Sequence, residues 1–185
     1  MSTTSFGPTA LATPANAITF ARLALTPVWL GLVVARGASW TAFALGFLLA
    51  VTDGVDGYVA RRQGTTRSGA FLDPLADKFL VVGALAALVV QATFWWLPVA
   101  VITVREVGIS VYRSWVSKRG VSIPASYWAK VKTVVQEFAI GLALLPLTAD
   151  RPVLARTVLW VGVVLAVATG LQYLYEGRKA DRGAL

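Results

Sequence analysis

The chain has 185 residues, of which 57% are hydrophobic and 14% charged, against roughly 45–50% and about 25% in soluble domains. A soluble globule of this length has no interior large enough for that excess, so the composition excludes an ordinary water-soluble fold and predicts a lipid-facing surface. The formal charge of +8 points to anionic partners, lipid headgroups and phosphorylated substrates first; nucleic acid is excluded, because the basic residues sit beside apolar helices and form no soluble basic module.

Residues 1–15, rich in Ser, Thr, Ala and Pro, read as a short polar lead-in. With Arg22 as the first basic residue, the positively charged start of a secretory signal is missing. A membrane-crossing helix needs about 20 mostly apolar residues, and six stretches qualify: 16–35, 39–60, 70–92, 97–117, 128–148 and 153–175. In the first, Asn16, Thr19 and Arg22 recur every three residues and lay a polar stripe near one end, either to anchor the helix or to line a site. Arg36-Gly37 breaks the chain before the second stretch, whose far end reads Asp53-Gly-Val-Asp56-Gly57-Tyr-Val-Ala60-Arg61. After a loop at Arg62–Ser68, the third opens on Gly69-Ala-Phe-Leu-Asp73-Pro-Leu-Ala-Asp77-Lys78. Phe94-Trp95-Trp96 precedes the fourth, which carries Arg105, Glu106 and Arg113. Lys118–Pro124 leads to the fifth, with Lys130 and Lys132 at its start, and Asp150-Arg151-Pro152 leads to the sixth. No internal repeat is visible. The expected fold is an all-α integral membrane bundle of six transmembrane helices, one domain over 1–185.

Orientation follows from the basic residues. With both termini cytoplasmic, 14 of the 17 lysines and arginines fall on the inner side, and only Arg36, Arg151 and Arg156 on the outer. Trp95 and Trp96 then lie at the outer interface, where amphipathic rings are favoured.

The acids are the outliers. Asp53, Asp56, Asp73 and Asp77 fall within 25 positions, at the edges of two apolar stretches. A carboxylate there costs a few kcal/mol and marks function by default. Spacings of three and four put each pair on one helical face, and the short loop makes the two helices antiparallel neighbours, so four carboxylates can converge. Their mutual repulsion is relieved by divalent cations, two of which about 3.5–4 Å apart form a clamp for phosphoryl chemistry. Cysteine and histidine are absent, so no disulfide framework or thiolate site exists, and oxygen ligands favour Mg²⁺, with Mn²⁺ as the alternative. Gly57 and Ala60 remove bulk beside the acids. Simple pairing of the aspartates with Arg61, Arg62, Arg67 and Lys78 explains neither the spacing nor the small residues. The second cluster, Arg105, Arg113, Lys130 and Lys132, suits an anionic phosphate, with Glu106 fixing one guanidinium, whereas Lys118 and Arg119 fit ordinary inner-side decoration.

The pattern D-x2-D-G-x2-A-R followed by G-x3-D-x3-D resembles the signature of the CDP-alcohol phosphotransferases, carried here by Asp53, Asp56, Gly57, Ala60, Arg61, Gly69, Asp73 and Asp77. One departure concerns the loop: seven residues (62–68) separate Arg61 from Gly69, where the family usually has eight. The resemblance implies six transmembrane helices, a homodimer and a site open to the cytoplasm. It implies that Asp53, Asp56 and Asp73 are metal ligands, and that Asp77 both contacts metal and acts as general base. Gly57, Ala60, Arg61 and Gly69, with Asp53 and Asp56, would bind the CDP moiety. The N-x2-T-x2-R start, the run Phe71-Leu-Asp-Pro-Leu-Ala-Asp-Lys78 and the segment from Arg105-Glu106 to Thr133 are similar to the family's phosphatidylglycerophosphate synthases. That likeness implies CDP-diacylglycerol and sn-glycerol 3-phosphate as substrates, in a cell inner membrane, with Arg105, Arg113, Lys130 and Lys132 on the acceptor's phosphate. Phosphatidylglycerol, as in cardiolipin synthases that share the Asp-Pro-x-Ala-Asp run, and inositol phosphate are the alternative acceptors. A divalent-cation transporter is the rival of another class; against it, the four acids cluster at one end and no discontinuous helix or repeat appears. A non-catalytic membrane scaffold is the third reading, and it predicts that Asp→Asn changes in the motif are harmless.

Overall fold

In a computed structural model the described backbone covers residues 14–63, 67–118 and 127–183, with side chains described over 16–52, 74–116 and 127–177. It contains six α-helices and no strand among the described residues: α1 (Pro14–Arg36), α2 (Trp40–Gln63), α3 (Arg67–Val90), α4 (Trp96–Lys118), α5 (Tyr127–Leu144) and α6 (Pro152–Gly183). A 3₁₀ turn, Pro146–Thr148, precedes α6. Pro14 and Pro152 open their helices, where a missing N–H costs nothing. Gly37 closes α1 in the left-handed region (φ 61°), its N–H returning to the Val33 carbonyl at 2.8 Å.

The boundaries depart from the sequence expectation where a local cause overrides hydropathy. The fifth helix stops at Leu144, four residues short of 148, because Pro146 drives Leu145 into extended backbone (φ −72°, ψ 120°). The sixth continues to Gly183 instead of ending near 175.

Two packing centres organise the bundle. α1 lies against α2 and α3, while α6 lies against α4 and α5; α3 joins the halves by touching α4 and α5. Trp29 and Val33 of α1 meet Leu49 of α2 and Leu80, Leu85 and Leu88 of α3, in one cluster that continues through Ile102, Ile140, Leu144 and Leu159. Gly46 lets α1 and α2 close up: a Cβ there would stand 2.6 Å from the Trp29 indole, whose Nε1–H donates to the Ala42 carbonyl at 2.8 Å.

The burial pattern departs from that of a water-soluble protein in what it adds to the apolar core and to the surface. Asn16, Thr19, Arg22, Thr26, Glu106, Lys132 and Gln136 are buried, while Phe47, Val90, Val104, Val111, Phe138, Val164 and Leu171 are exposed. Exposed apolar surface on this scale marks a partner or a lipid phase. Two described stretches, Asn16–Arg36 and Pro152–Gly177, are long and apolar enough to cross a membrane.

Candidate active site

The aspartate motif occupies the end of the bundle where α2 stops and α3 starts. At about 1.5 Å per residue, Asp53 and Asp56 stand roughly 15 and 10 Å back from Gln63 along α2, and Asp73 and Asp77 roughly 9 and 15 Å beyond Arg67 along α3. Asp53 and Asp77 are thus equally far along their helices from the α2–α3 connection, and Asp56 and Asp73 nearly so. The side chains of Asp53, Asp56, Gly57, Ala60, Arg61, Gly69 and Asp73 lie outside the described residues. Asp77 is described and half-buried. Among the described residues no three potential metal ligands come together. The donor set fits hard divalent cations by its chemistry, since carboxylates are the only anionic ligands a chain without Cys or His places at these positions.

Across from the motif, α4 and α5 bring a charged cluster into the interior. The buried Glu106 carboxylate accepts through Oε1 from Arg105 Nη1 at 3.0 Å and from Lys132 Nζ. Lys132 is itself buried, and Asp77 acts on its charge through space. Two further Arg105 donors go to α6: Nε to the Ala166 carbonyl at 3.0 Å and Nη2 to Thr169 Oγ1 at 2.9 Å. Gly170 makes room for this, because a Cβ there would meet Arg105 Cγ at 3.3 Å. Next to Asp77, Lys78 donates to Ser110 Oγ, and Ser110 donates onward to the Glu106 carbonyl at 2.6 Å.

The four cations expected at the acceptor's phosphate thus divide into two kinds. Arg113 and Lys130 are exposed, whereas Arg105 and Lys132 are held against Glu106. Arg105 and Arg113 differ in exposure: eight residues advance about 80° beyond two full turns, and Arg113 is exposed where Arg105 is half-buried. The sequence reading assigned no role to Ser110, Thr169 or Gln136. Thr169 lies 64 positions from Arg105, so no local pattern announces it; Gln136, one turn beyond Lys132 and fully buried, carried a faint signal as a polar residue in an apolar stretch.

Paired aspartate positions at one end of a helical bundle, with buried cations on neighbouring helices, suit an enzyme that handles phosphorylated substrates. Residues 12–168 match the CDP-alcohol phosphatidyltransferase family, and the chain belongs to it. It is 41% identical over 174 residues to a probable phosphatidylglycerophosphate synthase of Mycobacterium tuberculosis (strain ATCC 25618 / H37Rv), covering 89% of this chain and 81% of that one. It is 36% identical over 169 residues to the CDP-diacylglycerol–glycerol-3-phosphate 3-phosphatidyltransferase of Escherichia coli (strain K12), covering 87% and 92%. The protein of the same name from Haemophilus influenzae is 41% identical over 133 residues, 69% of this chain and 72% of that one.

Proposed function

We propose that the protein transfers the phosphatidyl group of CDP-diacylglycerol to sn-glycerol 3-phosphate, giving phosphatidylglycerophosphate and CMP. The observation that carries this reading is the buried Lys132–Glu106 pair that ties α5 to α4: it belongs to a cationic cluster suited to a phosphorylated acceptor, and its ammonium is within electrostatic reach of Asp77 in the motif. The names of the relatives support the same donor and acceptor.

In this reading Asp53, Asp56, Asp73 and Asp77 hold two divalent cations, Mg²⁺ by preference, which when bound neutralise the pyrophosphate of the donor. Gly57, Ala60, Arg61 and Gly69 line the CDP side together with Asp53 and Asp56. Arg113 and Lys130 meet the acceptor's phosphate from the exposed side, while Arg105 and Lys132 add positive field from behind. Asp77 takes the proton of the acceptor's hydroxyl as that oxygen attacks the phosphorus bearing diacylglycerol. The new O–P bond forms as the bond to CMP breaks, and no covalent enzyme intermediate is needed.

The same reading places all six helices across a cell inner membrane with both termini cytoplasmic, in a homodimer. A site at the inner interface meets a donor whose acyl chains stay in lipid and an acceptor arriving from the cytosol. The test is CMP release by purified protein with CDP-diacylglycerol and Mg²⁺, comparing glycerol 3-phosphate, inositol phosphate and phosphatidylglycerol. Release with glycerol 3-phosphate alone, abolished by a chelator and restored by Mg²⁺, is the expected result. Release only with another acceptor overturns the acceptor assignment, and no release from folded protein overturns the enzyme reading.

A further inference from the structure

We infer that Glu106 is a positioning residue for the acceptor half of this site: it fixes Lys132 in place and keeps that ammonium from collapsing onto Asp77. The inference rests on the function proposed above and assigns a task to a carboxylate which that mechanism leaves unused.

Glu106 is where three helices meet. α4 and α5 share little packing of their own and lean mainly on α6, so the Lys132–Glu106 pair is a direct tie between them at this level. The Glu106 carbonyl receives Ser110, which receives Lys78 from α3, the residue after Asp77. A change at Glu106 therefore moves the two helices that carry Arg113 and Lys130.

The charge count points the same way. Among the described residues, one buried carboxylate is in direct contact with two buried or half-buried cations, an excess of positive charge that favours an anion where the dielectric is low. Two carboxylates compete for Lys132: Glu106 by direct contact, Asp77 through space. With Glu106 neutralised, Lys132 loses the anion in direct contact with it, while the field of Asp77 stays. Lys132 then pairs with the proposed base and withdraws from the acceptor. A purely structural role explains the arrangement poorly, since buried ion pairs often stabilise no better than well-packed apolar side chains.

Glu106→Gln, Lys132→Met and the double variant test this, with separate KM values for glycerol 3-phosphate and CDP-diacylglycerol, kcat, and thermal unfolding of each protein. Glu106→Gln should raise the acceptor KM about tenfold or more while the donor KM stays within about threefold. The double variant should match Lys132→Met within about threefold, because Glu106 acts through Lys132. If Glu106→Gln does not fold, Glu106→Asp, which keeps the charge on a shorter stem, is read instead and should raise the acceptor KM by a smaller factor. An unchanged acceptor KM, equal rises for both substrates, or effects that multiply in the double variant overturn the inference. Wild-type turnover with inositol phosphate in place of glycerol 3-phosphate would overturn the acceptor assignment alone, and the same comparison is then scored on that acceptor's KM.

Discussion

Replacing Arg105 by lysine separates the charge of this residue from its shape. The guanidinium reaches three acceptors at once, the Ala166 carbonyl, Thr169 Oγ1 and Glu106 Oε1, all at 2.9–3.0 Å, and its side chain is only 12% exposed. A lysine keeps the positive charge beside Glu106 but lacks the fork, so two of the three contacts go. Hydrogen bonds to charged groups contribute about 1.5–3 kcal/mol each. Thr169 Oγ1 keeps its own bond to the Leu165 carbonyl at 2.7 Å, and the Ala166 carbonyl still accepts from Thr169 Oγ1 at 3.2 Å, so neither α6 acceptor is stranded and the lower end of that range applies. The expected loss is about 3 kcal/mol in unfolding free energy, measured by denaturant titration in mixed micelles. Because the positive field remains, the glycerol 3-phosphate KM should stay within about threefold. An unchanged unfolding free energy with a tenfold rise in acceptor KM would refute the reasoning, since the fork would then be spent on the acceptor's phosphate.

Asp77→Asn should reduce CMP release by about 10²–10⁴-fold, the usual contribution of a positioned base, without lowering the unfolding temperature; retention of more than a tenth of wild-type turnover would remove Asp77 from that role. Gly46→Ala places a Cβ 2.6 Å from the rigid Trp29 ring, forces α1 and α2 apart and should cost about 1–3 kcal/mol. Its acceptor and donor KM values should match wild type at a temperature where the variant is folded. A variant as stable as wild type would mean that the helices re-pack without strain.

Local chemistry in the sequence marks most of the helix ends. Gly37 caps α1 as the Arg36-Gly37 break implies, and every helix begins within a few residues of its apolar stretch, although α6 runs on to Gly183. The exception at Pro146 is instructive: apolar character runs on through Leu147, but the proline stops the hydrogen-bond ladder first. The site divides the same way. Aspartate spacing locates the motif, because three and four residues are helix geometry. The choice of partners made by Arg105 and Lys132 is tertiary, depending on α6 positions 61 and 64 residues away and on a contact 26 residues across a loop. Four basic residues that look alike in sequence become two exposed cations and two held inside.

The polar stripe of α1 has a consequence for how the chain enters its membrane. Asn16, Thr19, Arg22 and Thr26 are almost completely buried against the neighbouring helices, yet α1 is made before any of them. An arginine at the centre of a lone helix in lipid costs about 2.5–3.5 kcal/mol even on translocon-based scales, and Arg22, eight residues into α1, bears part of that cost. Such a segment gains little by leaving the insertion machinery alone. It is expected to dwell there until α2 and α3 emerge, and to partition into the bilayer with them as a unit.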